Sequence, residues 1–129
     1  MGQAAALFDN IPDQDICGLY DAHGGINYRK VVDVMHFKNE DVSLATGLPK
    51  TSVRYDVKMP QELKDRLIEW ATAINLVAGH FNDLNKTMMW FQAPNPMLGS
   101  IAPRDMIRLG RFKKLMKYIQ SALDANNQE

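Results

Sequence analysis

Apolar residues recur along most of this chain at intervals of three and four, and almost nowhere in strict alternation, which predicts helices rather than strands. The longest run is Pro60 to Phe81. There Leu63, Leu67, Trp70, Ile74, Val77 and Phe81 form one stripe, while Lys64, Asp65, Arg66 and Glu69 stay outside it. Pro60 suits the first turn of that helix, where its missing N–H costs nothing. Upstream, Tyr28, Val31, Val32, Met35 and Phe37 mark a shorter helix with a buried face. Downstream, Asn82 or Asp83 caps a helix through Met88, Met89, Trp90 and Phe91, which Pro94 and Pro96 must stop. Pro103 opens a short helix holding Met106 and Ile107, and Gly110 ends it. A last helix from Arg111 buries Phe112, Leu115, Met116, Ile119 and Leu123, with a tail from Asp124 that is expected to fray. Residues 1–25, with Pro12 and Gly24-Gly25, read as a mobile arm or loosely packed extension. The reading is therefore all-α.

A length of 129 residues suits one domain with a substantial core. Equal numbers of basic and acidic groups, 15 of each, exclude a binder held to nucleic acid by bulk charge. The charge is nevertheless segregated. Asp9, Asp13, Asp15 and Asp21 face no basic residue before Tyr28, whereas Lys86, Arg104, Arg108, Arg111, Lys113, Lys114 and Lys117 are opposed only by Asp105. The C-terminal stripe would attract phosphate or an acidic partner surface, and the same run also suits a plain solvated helix face. The acidic arm is a candidate phosphate mimic over that stripe. Cys17 is the single cysteine, so neither an internal disulfide nor a cysteine-based zinc module can form.

The opening MGQAAALF lacks the basic stretch of a secretory signal, and Ala6 stands where a myristoylation motif wants Ser or Thr. The longest uncharged stretch, Thr87 to Pro103, is interrupted by prolines, which argues against a membrane span. The expectation is a cytoplasmic protein with no metal and no cofactor.

The most informative stretch is NEDVSLATGLPKTSVRYD. A helix-turn-helix needs a small residue in its first helix, a glycine at the turn, an apolar residue after it and an apolar anchor in the second helix. Ser43, Gly47, Leu48 and Val53 meet those positions, with Val42 burying the first helix. Asn39 is the expected N-cap, followed by Glu40 and Asp41 in the positively polarised first turn. The second helix is expected to start near Pro49 or Lys50 and to expose Lys50, Thr51, Ser52, Arg54 and Tyr55, with Lys58 and Lys38 adding backbone contacts. Hydroxyls and helix N-termini position phosphates, and Arg or Lys reads guanine, so these are the candidate DNA-binding residues. The same corner also serves as a protein-interaction scaffold.

The second half, WFQAPNPMLGSIAPRDMIRLGRFKKLMKYIQSAL, resembles the toxin-binding domain of Xre/MbcA/ParS-type antitoxins. In that family a tryptophan helix is followed by a Pro-Asn-x-x-Leu-Gly-x-x-x-Pro connector and two short helices. The match falls on Trp90, Pro94, Asn95, Pro96, Leu98, Gly99, Pro103, Met106, Ile107 and Gly110, and the resemblance covers about residues 27–123. Ser100 and Ala102 depart from it, where a second glycine and a threonine are common.

The resemblance implies a fold of an N-terminal helix-turn-helix bundle, a long central helix and a small C-terminal helical domain. It divides the chain into an acidic arm (1–25), a DNA-binding region with the central helix (26–81) and a toxin-binding domain (82–129). It also implies a homodimeric antitoxin that represses its own operon and shields the active site of a RES-domain toxin that consumes NAD. The toxin contact would fall in the segment holding Trp90, Asn95, Leu98, Gly99, Arg104, Arg108, Arg111 and Lys114.

Two other classes stand beside this reading, a stand-alone helix-turn-helix regulator and a protein-interaction module without DNA binding. Catalysis is disfavoured: His23, His36 and His80 are scattered, Cys17 has no histidine at motif spacing, and no Walker-type phosphate loop is present.

Overall fold

The computed structural model describes residues 15–127. It is all-helical, as the periodicity predicts. Its helices are α1 (Tyr28–Val34), α2 (Asn39–Thr46), α3 (Gln61–Phe81), α4 (Leu84–Gln92), α5 (Pro103–Arg108) and α6 (Phe112–Asn127). Two single 3-10 turns, Lys50–Ser52 and Pro96–Leu98, punctuate the connections. Among the described residues the only extended pairings are isolated bridges, Tyr20 with Ile26 and Asn95 with Ile101.

The long helix α3 is the centre of the molecule because its stripe is apolar for its whole length. Leu63, Leu67, Trp70, Ile74 and Val77 are all buried, and Ala71, Ala73 and Ala78 beside them let neighbouring helices approach closely. Helices α1, α4 and α6 pack against α3, while α5 bridges α2, α4 and α6. Burying one such Leu or Ile stabilises by about 1.5–3 kcal/mol, so this stripe is a large contributor to the packing energy. Phe37 meets Trp70 edge-on, with centroids 5.6 Å apart. Residues from Cys17 to Ile119 join one buried cluster, so the 26–81 and 82–129 regions share a core instead of forming two separate units.

Several helix ends follow the local chemistry. Asn27 caps α1 by accepting from the Lys30 N–H at 3.1 Å, and Asp83 caps α4 by accepting from the Lys86 N–H at 2.9 Å. Asn82 instead ends α3 at φ 53°. Ala93 is extended because it precedes Pro94, so α4 stops there. The cap of α2 is Lys38, one residue before the expected Asn39, because the Asp41 carboxylate reaches back to accept the Lys38 N–H at 2.8 Å. Helix α6 continues through Asn127, where fraying was expected from Asp124.

The arm is also revised. Residues 1–14, with Asp9, Pro12 and Asp13, lie outside the described residues. The segment 15–25 is no loose extension: Leu19 and Cys17 are buried in the main cluster. Asp15 accepts the Leu19 and Tyr20 N–H groups, each at 2.8 Å. Asp21 accepts those of His23 and Gly25 at 2.9 and 2.8 Å, which holds its carboxyl below the usual range. Both carboxylates organise their own loop, while Asp9 and Asp13 of the expected phosphate-mimicking arm lie outside the described residues. At Gly25 a Cβ would stand 2.6 Å from the Asp21 carboxylate, so a larger residue there would require that side chain to shift.

Candidate functional site

The corner after α2 forms as the spacing predicts. Gly47 takes the left-handed conformation, φ 77°, and donates its N–H to the Ser43 carbonyl at 2.9 Å. Serine at the small position has a role of its own: Ser43 Oγ donates to the Leu48 carbonyl at 2.6 Å. Thr46 Oγ1 accepts the Leu48 N–H at 3.2 Å, so both backbone groups of the first residue past the turn are satisfied by side chains of α2. Val42 and Val53 are buried and Leu48 packs against the core, which anchors both sides of the bend.

Beyond the corner the backbone departs from the expected recognition helix. Only a single 3-10 turn forms at Lys50–Ser52, and Val53 leaves it with ψ 88°. Three β-branched residues, Thr51, Val53 and Val57, weaken helix propagation here. Asp56 then competes for the backbone by accepting the Lys58 N–H at 2.9 Å, and Met59 precedes Pro60, which disfavours the α conformation.

The candidate DNA-binding residues accordingly occupy an irregular surface. Lys50, Thr51 and Lys58 are exposed, and Ser52 is half-buried. Arg54 is exposed but forked onto Asp56, with its Nε and Nη2 at 2.8 and 2.6 Å from the two carboxylate oxygens. This pairing lowers the Asp56 pKa and raises that of Arg54. Tyr55 is half-buried beneath the Arg29 guanidinium, which lies 5.0 Å from the ring centre. Burial pushes the phenol up, Arg29 opposes that and Asp33 adds to it. Arg29 and Asp56 belong to this surface but were not singled out from sequence. Asp56 had a local signal, the Asp-x-Lys turn, whereas Arg29 is brought there only by packing.

The connector 94–103 is a compact unit organised by Asn95. Its Oδ1 accepts the Met97 N–H at 2.9 Å, its carbonyl accepts those of Leu98 and Ser100 at 2.9 Å each, and its own N–H donates to the Ile101 carbonyl at 3.2 Å. Asn95 is therefore a scaffold residue. Gly99 and Ser100 come next, with φ of 73° and 65°. The departure at Ser100 thus falls on a left-handed position, which glycine occupies without strain.

The eight residues singled out in the C-terminal half do not form one site. Leu98, Gly99, Arg111 and Lys114 line a common hollow of about 300 Å³ with Met97, Ile101 and Met106. Arg111 and Lys114 also rim an adjoining groove of about 600 Å³, walled by Thr46, Arg66, Glu69, Phe112 and Lys113 and floored by Trp70 and Ile107. Within it Arg66 pairs with Glu69 at 3.0 Å, leaving Arg111, Lys113 and Lys114 as exposed cations without an ion-pair partner among the described residues. Arg66 and Met97 enter from other elements and were not singled out as site residues, while Lys113 joins from the basic stripe. Trp90 lies elsewhere, in an apolar cleft of about 200 Å³ with Val77, His80, Phe81 and Tyr118. Arg104 donates to the His36 carbonyl at 3.1 Å and lies over the Phe37 ring, and Arg108 pairs with Asp105 at 3.1 Å. Both are engaged internally.

These features define an all-helical protein with a basic, partly apolar groove beside a glycine corner. Among the described residues no helix is long and apolar enough to cross a membrane. No family model, curated protein or solved structure matches the chain.

Proposed function

We propose that this protein is an antitoxin of a two-component toxin module, acting by binding rather than by catalysis. Its C-terminal half covers a RES-type, NAD-consuming toxin, and its N-terminal half represses the operon that encodes both. The observation that supports this most is the connector. Its Asn95-centred turn places Leu98 and Gly99 in the same hollow as Arg111 and Lys114, which follow the bend at Gly110 and also rim the adjoining groove. A cationic rim over an apolar floor suits an acidic or nucleotide-binding cleft on the partner. The connector also carries most of the family resemblance.

DNA binding is the less supported half, since the expected recognition helix is one 3-10 turn. That observation favours, as a second reading, a neutraliser that does not bind DNA. The exposed Lys50, Thr51 and Lys58 beside the Gly47 corner favour retention of backbone contacts. A homodimer belongs to the repressor reading, because two half-sites about 34 Å apart supply the base pairs that one small corner lacks.

The test is co-purification of the full chain with the product of its adjacent reading frame, which the proposal expects to be a RES-domain protein. The account expects a stable complex that Arg111→Glu with Lys114→Glu disrupts. No complex, or one indifferent to both reversals, rejects the toxin-binding assignment.

A further inference from the structure

Arg29 on α1 and Arg54 beyond the corner reach the same polar cleft, of about 410 Å³, which Asn39, Val53, Tyr55 and Asp56 complete. The two cations are held differently. Arg29 rests over the Tyr55 ring and takes part in no ion pair among the described residues, so its charge is open to a ligand. The Tyr55 hydroxyl is buried and has no hydrogen-bond partner among the described residues. Arg54 grips Asp56 through two parallel hydrogen bonds that occupy its Nε–Nη2 edge. Asp56 is in turn fixed from behind by the Lys58 N–H at 2.9 Å, so its carboxylate is set in place independently of Arg54.

A carboxylate held in this way presents to the guanidinium the same two-oxygen edge that a phosphodiester presents. Exchanging one for the other conserves both Arg54 hydrogen bonds and adds the free Arg29 charge. We propose that Arg29 and Arg54 seat one backbone phosphate of duplex DNA, and that Asp56 is a built-in competitor displaced when that phosphate binds. The inference rests on the DNA half of the reading above. It assigns that half a phosphate contact, one residue that opposes it and a reason for moderate affinity in the absence of a long recognition helix.

The test is fluorescence anisotropy of the full-length chain with a labelled duplex taken from directly upstream of its own coding sequence. Asp56→Asn keeps the oxygen that accepts the Lys58 N–H and removes the charge. It should tighten binding about three- to fivefold, a range set by the modest strength of an exposed ion pair. Arg54→Ala and Arg29→Ala should each weaken binding, and Arg29→Ala should reduce the salt dependence by about one phosphate's worth of released counterion. The decisive comparison is Asp56→Asn in the Arg54→Ala background, where the gain should vanish. An equal gain in both backgrounds would mean that Asp56 acts only as bulk negative charge, overturning the competitor role while leaving DNA binding intact. Failure of the wild type and Asp56→Asn alike to bind the duplex at low salt would overturn the DNA reading itself.

Discussion

Arg104 and His36 are 68 positions apart in sequence, yet the Arg104 guanidinium donates to the His36 carbonyl at 3.1 Å. His36 holds the α1–α2 turn with φ 56°, a left-handed conformation that costs a non-glycine residue about 1 kcal/mol. The same guanidinium lies 5.3 Å from the Phe37 ring centre, and Phe37 meets Trp70. Helix α5 is thereby tied to the turn before α2 and to the central helix.

Replacing Arg104 with Met should therefore destabilise the fold by about 2 kcal/mol, the scale of a hydrogen bond to a charged group. Urea denaturation measures this. A loss below about 0.5 kcal/mol would show that the contact contributes little, and would return Arg104 to the pool of partner-binding cations.

Ser100→Gly should act in the opposite direction. Its φ of 65° is strained for serine, and relief of that strain outweighs the added freedom of the unfolded chain by up to about 1 kcal/mol. The thermal midpoint should rise by about 2–5 °C. A fall would mean that the connector draws stability from the serine hydroxyl.

Cys17 is 2% exposed, and burial, followed by the negative charge of Asp15, pushes its thiol upward. Both effects suppress the reactive thiolate. A disulfide reagent should label Cys17 at least about 100-fold more slowly in the native protein than in guanidinium. Rapid native labelling would show that segment 15–25 detaches from the core.

Legibility from sequence tracked how local each determinant is. The α3 stripe, the stop at Pro94, the Asp83 cap and the Gly47 corner are decided by residues a few positions apart, and these were readable. The corner motif specified a bend anchored by Val53 but not the conformation beyond it, so the loss of helix to Thr51, Val53 and Asp56 was missed. The burial of Leu19 was hidden because 15–25 has no periodicity and is shaped by Asp15 and Asp21. In the C-terminal half, Arg104, Arg108, Arg111 and Lys114 look alike as members of a basic stripe. Packing sets Arg104 apart and an i,i+3 pair with Asp105 sets Arg108 apart from the two that rim the groove, and only that pair had a local signal.

The most direct measurement of the central claim is cellular NAD in a host expressing this chain together with the product of its adjacent reading frame, which the proposal expects to be a RES-domain toxin. The account predicts that the wild-type chain preserves NAD and that Lys86→Glu, on the exposed face of α4, still does so. Arg111→Glu with Lys114→Glu should lose protection while keeping the native melting profile. Undiminished protection by the doubly reversed chain, or none from the wild type, would contradict it.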